Sequence, residues 1–139
     1  MRIYHAAPAV RTGGRIAIEN VTAHVRSAVE RSGIKEGIAV VSVPHTTCGM
    51  ALNEDESGLR QDIQRLAARL LSPLAEEESF SHDCVDDNAQ AHLTSILLGH
   101  SVTLPVSGAA LVLGTWQSVF LIEMDGPRNR SLDIRILGE

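Results

Sequence analysis

Histidine, carboxylate and amide side chains stand at six places where they could act together: His45, Glu54, His82, Asp87, Asn88 and His92. Imidazole moves protons near neutral pH, and imidazole with carboxylate is the ligand set that zinc and related metals favour. His45, His82 and His92 form a candidate metal-ligand trio. His45, Glu54, Asp87, Asn88 and His92 form a candidate catalytic set. Asn88 and His92 are four residues apart, so a helix would carry both on one face. His45 follows an apolar run with Thr46 and Thr47 beside it, a strand end from which side chains can reach a site. The plain alternative is that each histidine is a surface or core residue. No H-x-x-x-H or C-x-x-C pair narrows the choice. Asp86-Asp87-Asn88 has its own plain alternative as a helix cap.

Two further stretches could hold a ligand. Gly114-Thr115-Trp116-Gln117 interrupts two apolar strands, and Trp116 offers a flat face to a ring. A β-bulge with the indole over a core edge explains it equally well. Asp125-Gly126-Pro127-Arg128 is first a turn, but it also sets a guanidinium beside two rigidifying residues, which suits a phosphate. Cys48 and Cys84 have no base placed to activate them, since Cys48 and His45 are expected to face opposite ways.

The elements that must position these groups follow from pattern. Arg2 to Ala7 and Arg15 to Ile18 read as strands around a turn at residues 11–14. Val21, Val25, Ala28 and Val29 keep helical spacing between an Asn20 cap and a Gly33 stop. Ile38 to Val43 is an apolar stretch rich in β-branched residues and broken only by Ser42, expected to be a strand buried on both faces and ended by Pro44. Cys48 to Asn53 is the next strand. Ser57 is expected to cap a helix carrying Leu59, Ile63, Leu66 and Leu70, closed by Pro73, with a polar loop from Glu76 to Val85 anchored by Phe80. Asp86 or Asp87 is expected to cap a third helix whose Leu93, Ile96 and Leu97 face inward. Strands near residues 101–106, 111–113, 119–125 and 131–137 complete the chain. Mixed β/α order followed by an all-β tail predicts an α+β fold, one domain over residues 1–139, with a mixed or antiparallel sheet and about three helices.

Bulk properties limit the partners. With 44% hydrophobic residues, 139 residues can bury a core without staples. A net charge of −5 and the lack of any basic run argue against nucleic acid. No leader segment or membrane span is legible, and two unpaired cysteines suit a reducing compartment, so the expected location is the cytoplasm.

Taken in order, Pro44-His45-Thr46-Thr47, Asn53-Glu54, His82, Asp86-Asp87-Asn88-Ala89 with Ala91-His92, Leu113-Gly114-Thr115-Trp116-Gln117, Asp125-Gly126-Pro127-Arg128 and Gly138-Glu139 resemble the YjbQ-like family, small proteins described as secondary thiamine-phosphate synthases. The resemblance spans nearly the whole chain. It implies a homotrimer with a polar pocket at a subunit interface, holding a divalent metal, zinc or magnesium. By position it carries over His45, Glu54, His82, Asp87, Asn88, His92, Gln117 and Arg128. Three departures stand out: Ser57-Gly58 where members often have Asp-Pro, Cys48 where they often have Ala, and Asn129 where they tend to have a second Arg.

The implied reaction joins a pyrimidine pyrophosphate to a thiazole phosphate and releases pyrophosphate. A metal near His45, His82 and His92 would take the leaving charge, Arg128 would hold a phosphate, and Trp116 or Gln117, with Thr46 and Thr47, would bind substrate. Two rivals use the same residues. One is metal-assisted hydrolysis of a small phosphate or amide, with Glu54 or Asp87 as base. The other is a trimeric small-molecule binding protein without catalysis.

Overall fold

The computed structural model describes all residues from Met1 to Glu139. The strands are β1 (Arg2–Ala6), β2 (Ala9–Arg11), β3 (Ala17–Asn20), β4 (Gly37–Ser42), β5 (Cys48–Glu54), β6 (Ser101–Ser107), β7 (Ala110–Leu111), β8 (Gln117–Glu123), β9 (Asn129–Ser131) and β10 (Asp133–Gly138). The helices are α1 (Thr22–Ser32), α2 (Ser57–Arg69), α3 (Ser72–Glu77) and α4 (Ala89–Leu98), with a 3-10 turn at Ser81–Cys84.

Every strand pair is antiparallel. A five-stranded sheet runs β1-β10-β4-β6-β7, a three-stranded sheet β3-β8-β5, and β2 pairs with β9 as a short ribbon. The fold is α+β, as expected, and its sheets are antiparallel throughout. The main core lies between the two larger sheets and α1, where Val25, Val29, Val41, Leu121, Ile134 and Ile136 are buried together. A smaller cluster of Ile18, Ala91, Phe120, Ile122 and Met124 fills the other face of the three-stranded sheet under α4. β8 is therefore apolar on both faces, and it is this strand that is buried on two sides. The run in β4 is not, since Ile38 is exposed and only Ala39 and Val41 of that strand are buried.

α1 begins and ends as its sequence requires. The Asn20 side chain accepts the Thr22 N–H, and Gly33 closes the helix at φ 64°, a left-handed conformation costly for any residue with a Cβ. α2 is capped by Glu56 rather than Ser57: its carboxylate accepts the N–H groups of Gly58 and Leu59. That bonding and the positive helix terminus favour the ionised form. Pro73 does not close α2. It sits in the first turn of α3, where its missing N–H costs nothing.

The largest departure concerns α4. Neither Asp86 nor Asp87 caps it; the Asp83 carboxylate takes the Ala89 N–H instead. Its buried residues are Ala89, Ala91, Thr94 and Ser95, while Leu93, Ile96 and Leu97 face outward, Ile96 being 76% exposed. The reason is close approach to β5. A Cβ on Gly49 would stand 2.8 Å from the Leu98 Cβ, and the Ser95 hydroxyl donates to the Cys48 carbonyl at 2.5 Å. Only small side chains fit between helix and sheet at that distance.

Candidate functional site

Pro44 lacks the N–H needed to extend the β4 ladder, and the chain turns through His45-Thr46-Thr47 into β5. His45 Nε2 lies 3.0 Å from the backbone nitrogen of Ser131 and 3.4 Å from its hydroxyl. A backbone N–H can only donate, so Nε2 holds a lone pair and a neutral His45 carries its proton on Nδ1. Burial and then the nearby Arg130 charge lower the basicity of the ring, outweighing Glu123 and favouring that neutral form. With Thr46, His92, Ser95, Ile96 and His100, His45 lines an open cleft of about 680 Å³.

A second set of groups leads away from His92. The His82 and His92 rings meet edge to face, 4.8 Å between centroids and 87° between planes. His82 Nε2 is 3.0 Å from Asn88 Oδ1, Asn88 Nδ2 donates to Asp125 Oδ2 at 3.0 Å, and Arg128 Nη2 donates to the same oxygen at 3.1 Å. Burial opposes ionisation of Asp125, but the bonds from Asn88 and Arg128 together outweigh it and hold the carboxyl below its usual range. An ionised carboxylate only accepts, so the Asn88 amide nitrogen faces Asp125 and its oxygen faces His82. His82 Nε2 therefore carries a hydrogen. His92 also walls an apolar pocket of about 350 Å³ formed with Phe80, His82, Ala89 and Leu93. One histidine thus separates a histidine-lined cleft from an apolar pocket.

Behind both lies an ion pair the sequence reading passed over. Glu123 is fully buried; Arg130 donates to its two oxygens through Nε and Nη2, each at 2.7 Å, and Nη2 also reaches Thr47 Oγ1 at 2.8 Å. Glu123 accepts further bonds from the Thr12 hydroxyl and from the N–H groups of Met124 and Asp125. Burial works against its charge, yet Arg130, the Asp125 N–H and Thr12 keep it ionised below the ordinary range. The pair joins the His45 corner, the Thr12 loop and the Asp125–Arg128 turn. The signal was an acid ending the apolar run Val119–Ile122, with Arg130 seven residues on. Asn129 stands where family members tend to have a second Arg, and here the second cation lies one residue on, at Arg130.

The expected site residues divide. His45, Thr46 and His92 share the cleft, and His82 and Asn88 adjoin it through His92. Thr47 is buried and its hydroxyl is occupied by Arg130, so it is not placed to bind substrate. Asp87 turns toward Arg15, which donates to its carbonyl at 3.2 Å and lies 3.8 Å from its carboxylate, in a separate pocket with Gln90 and Met124. Glu54 pairs in register with Gln117 at one end of the β5–β8 ladder, and Cys48 pairs with Glu123 at the other. The seven residues of β5 place Glu54, Trp116 and Gln117 about 20 Å from the His45 end. Trp116 is 71% exposed and covers no core edge, and the Gln117 side chain accepts the Gly114 N–H. Cys48 is inert, as expected: burial, then Glu123, push its thiol up to about 12.

Within one copy of the chain, His45, His82 and His92 do not assemble a metal site. No three of its histidine, cysteine, aspartate and glutamate side chains converge on a metal-sized position. The His45 Nε2 lone pair is engaged by Ser131, and His82 Nε2 is turned to Asn88. No helix is long and apolar enough to cross a membrane.

Comparison with known proteins agrees with this architecture. The family model described as UPF0047 protein YjbQ-like matches residues 7–139. A UPF0047 protein of Methanothermobacter thermautotrophicus is 38% identical over 139 residues, covering 100% of this chain and 95% of its own. One from Archaeoglobus fulgidus is 39% identical over 128 residues, 92% of this chain and 97% of its own. The crystal structure of a YbjQ-like protein of unknown function from Sulfolobus solfataricus superposes with a TM-score of 0.93 at 40% identity, covering 99% of each chain. A hypothetical protein from Aeropyrum pernix gives 0.90 at 39% identity, covering 97% of this chain and 98% of that one.

Proposed function

The chain belongs to the UPF0047 YjbQ-like family, and from that premise we propose that it is a thiamine-phosphate synthase-like transferase working at the His45–His92 cleft as a homotrimer in the cytoplasm. The observation that carries the reading is the pair of cavities meeting at His92, one lined with hydrogen-bonding groups and one apolar. A reaction between two ring compounds needs two adjoining seats, and holding both supplies much of the rate. The thiazole ring nitrogen gives its lone pair to the pyrimidine methylene carbon, the C–O bond to pyrophosphate breaks, and its electron pair departs with the pyrophosphate.

The chain's own groups meet that chemistry. His45, fixed by Ser131 as an Nδ1–H donor, gives a hydrogen bond to the leaving oxygen where its negative charge develops. Thr46 and His100 border the same space. Arg128 lines neither cavity but is tied to His82 through Asp125 and Asn88; it commits Nε and Nη2 to Asp125 and keeps Nη1 for a substrate phosphate. No step is assigned to a metal. Hydrolysis through Glu54 or Asp87 is less well supported, because one lies at the far end of the ladder and the other is turned to Arg15.

Self-association, which the proposal sets at three copies from the family resemblance, is supported by the outward Leu93, Ile96 and Leu97 of α4, beside His92, since an apolar patch flanking a cleft is suited to cover by another copy. Two free thiols fit a reducing cytoplasm. The test is thiamine phosphate formation by purified protein given both precursors, with and without a chelator, and with His92→Ala alongside. Formation in wild type and loss in the variant support the reading. Ligand-induced thermal stabilisation without product would replace it with a binding protein, and phosphate release without an acceptor ring would replace it with a hydrolase.

A further inference from the structure

A second cavity lies apart from the histidine cleft and shares no residue with it. It is a groove of about 320 Å³ between β1, with the Ala7-Pro8 segment that follows, and one face of α1. α1 contributes His24, Ser27 and Arg31, spaced three and four residues apart so that they align on that face. Tyr4 and His5 line the opposite wall. All five can donate hydrogen bonds, and no carboxylate lines the groove.

Of those five donors only His5 meets an acid. Neither Arg31 nor His24 forms an ion pair with an acid of the chain. The nearest acid contact is Asp133, 3.3 Å from His5, and Arg135 holds that carboxylate through two bonds of 2.8 and 3.1 Å. In a chain with 17 acidic and 12 basic residues, a carboxylate-free groove with an uncommitted guanidinium is not a sample of the average surface.

We propose that this groove is a separate binding site for a small dianion, a phosphate or a small phosphomonoester, with Arg31 and His24 as its charged contacts and the Tyr4 and Ser27 hydroxyls as further donors. A guanidinium fork matches phosphate oxygens two at a time, and the volume leaves room for a small organic group beyond the phosphate. The site does not depend on the synthase reading, because its residues take no part in the cleft.

The experiment is a titration of the intact protein with inorganic phosphate, followed by NMR signals of the histidine and tyrosine side chains, with acetate at matched pH and ionic strength as the control arm. The expected result is a saturable shift at His24 and Tyr4 with phosphate and none with acetate. Arg31→Ala, an exposed helix position, should raise the half-saturation concentration by about tenfold or more, the scale of a lost charged hydrogen bond. Ser27→Asp, which brings a like charge into the groove, should abolish the shift. The same titration on His92→Ala should still show it, which separates this site from the cleft. A shift that acetate reproduces, one that appears only at His45 or His92, one unchanged in Arg31→Ala, or no saturable shift at all overturns the proposal.

Discussion

Arg130 grips Glu123 through two hydrogen bonds of 2.7 Å each, beneath the corner that carries His45. The two residues sit on strands of different sheets, so their contact ties the three-stranded sheet to the β2–β9 ribbon. Removing one partner strands the other. Arg130→Met should cost about 3–5 kcal/mol, the range for an unpaired buried charge, while a matched apolar double replacement should cost much less. Chemical denaturation of the two variants measures the difference.

The same pair sets an acid limit. Glu123 titrates below its unfolded value of 4.5 in the folded protein, so its contribution is whole above that value and is lost as pH falls through the lower, folded one. Glu123→Gln should therefore flatten the fall in melting temperature below about pH 4.5, as read by thermal melts across that range.

Asn88 is the only bridge recorded between His82 and Asp125. Asn88→Leu leaves the His82 ring N–H without its partner and Asp125 Oδ2 with Arg128 alone, and should cost about 1–3 kcal/mol. Asn88→Asp sets a second carboxylate against Asp125, so one of the two should take up a proton well above the usual range. Melting temperature reads the first change, and carboxyl carbon NMR the second.

His45 should titrate below 6.5, its ordinary value, because burial and Arg130 disfavour the cation. Its neutral form contributes stability that is whole above 6.5 and fades as pH falls through the folded value. An NMR titration of the ring proton gives the midpoint directly. A midpoint at or above 6.5 would falsify the effect of burial and Arg130, and the ring nitrogen shifts of the neutral form test the Nδ1–H assignment on which the proposed hydrogen bond to the leaving group rests.

If α4 joins subunits, Ile96→Glu should lower the molar mass measured by light scattering while far-UV circular dichroism stays unchanged, since the side chain is exposed within one chain. An unaltered mass would move the interface elsewhere.

Much of the fold was legible in particular residues. Valine and alanine at helical spacing before Gly33 gave α1 because both its face and its stop follow from local chemistry. α4 was legible as a helix but not in its orientation. Hydrophobicity pointed Leu93, Ile96 and Leu97 inward, and the close approach over Gly49 selected small residues instead. In the site, His45 and His92 came together because one ends a strand and the other rides the helix packed on β5. Asp87 and Glu54 did not, because partner choice and ladder length are set by residues far away in sequence. Glu123 and Arg130 escaped notice because a buried ion pair has no local pattern.

The β5–β8 ladder keeps Trp116 and His45 about 20 Å apart along rigid backbone. Groups separated that far and sharing no partner change stability independently, within about 0.5 kcal/mol. Selection can therefore remodel the tryptophan end without disturbing the histidine end. Two unlike chemistries can be carried on a single scaffold.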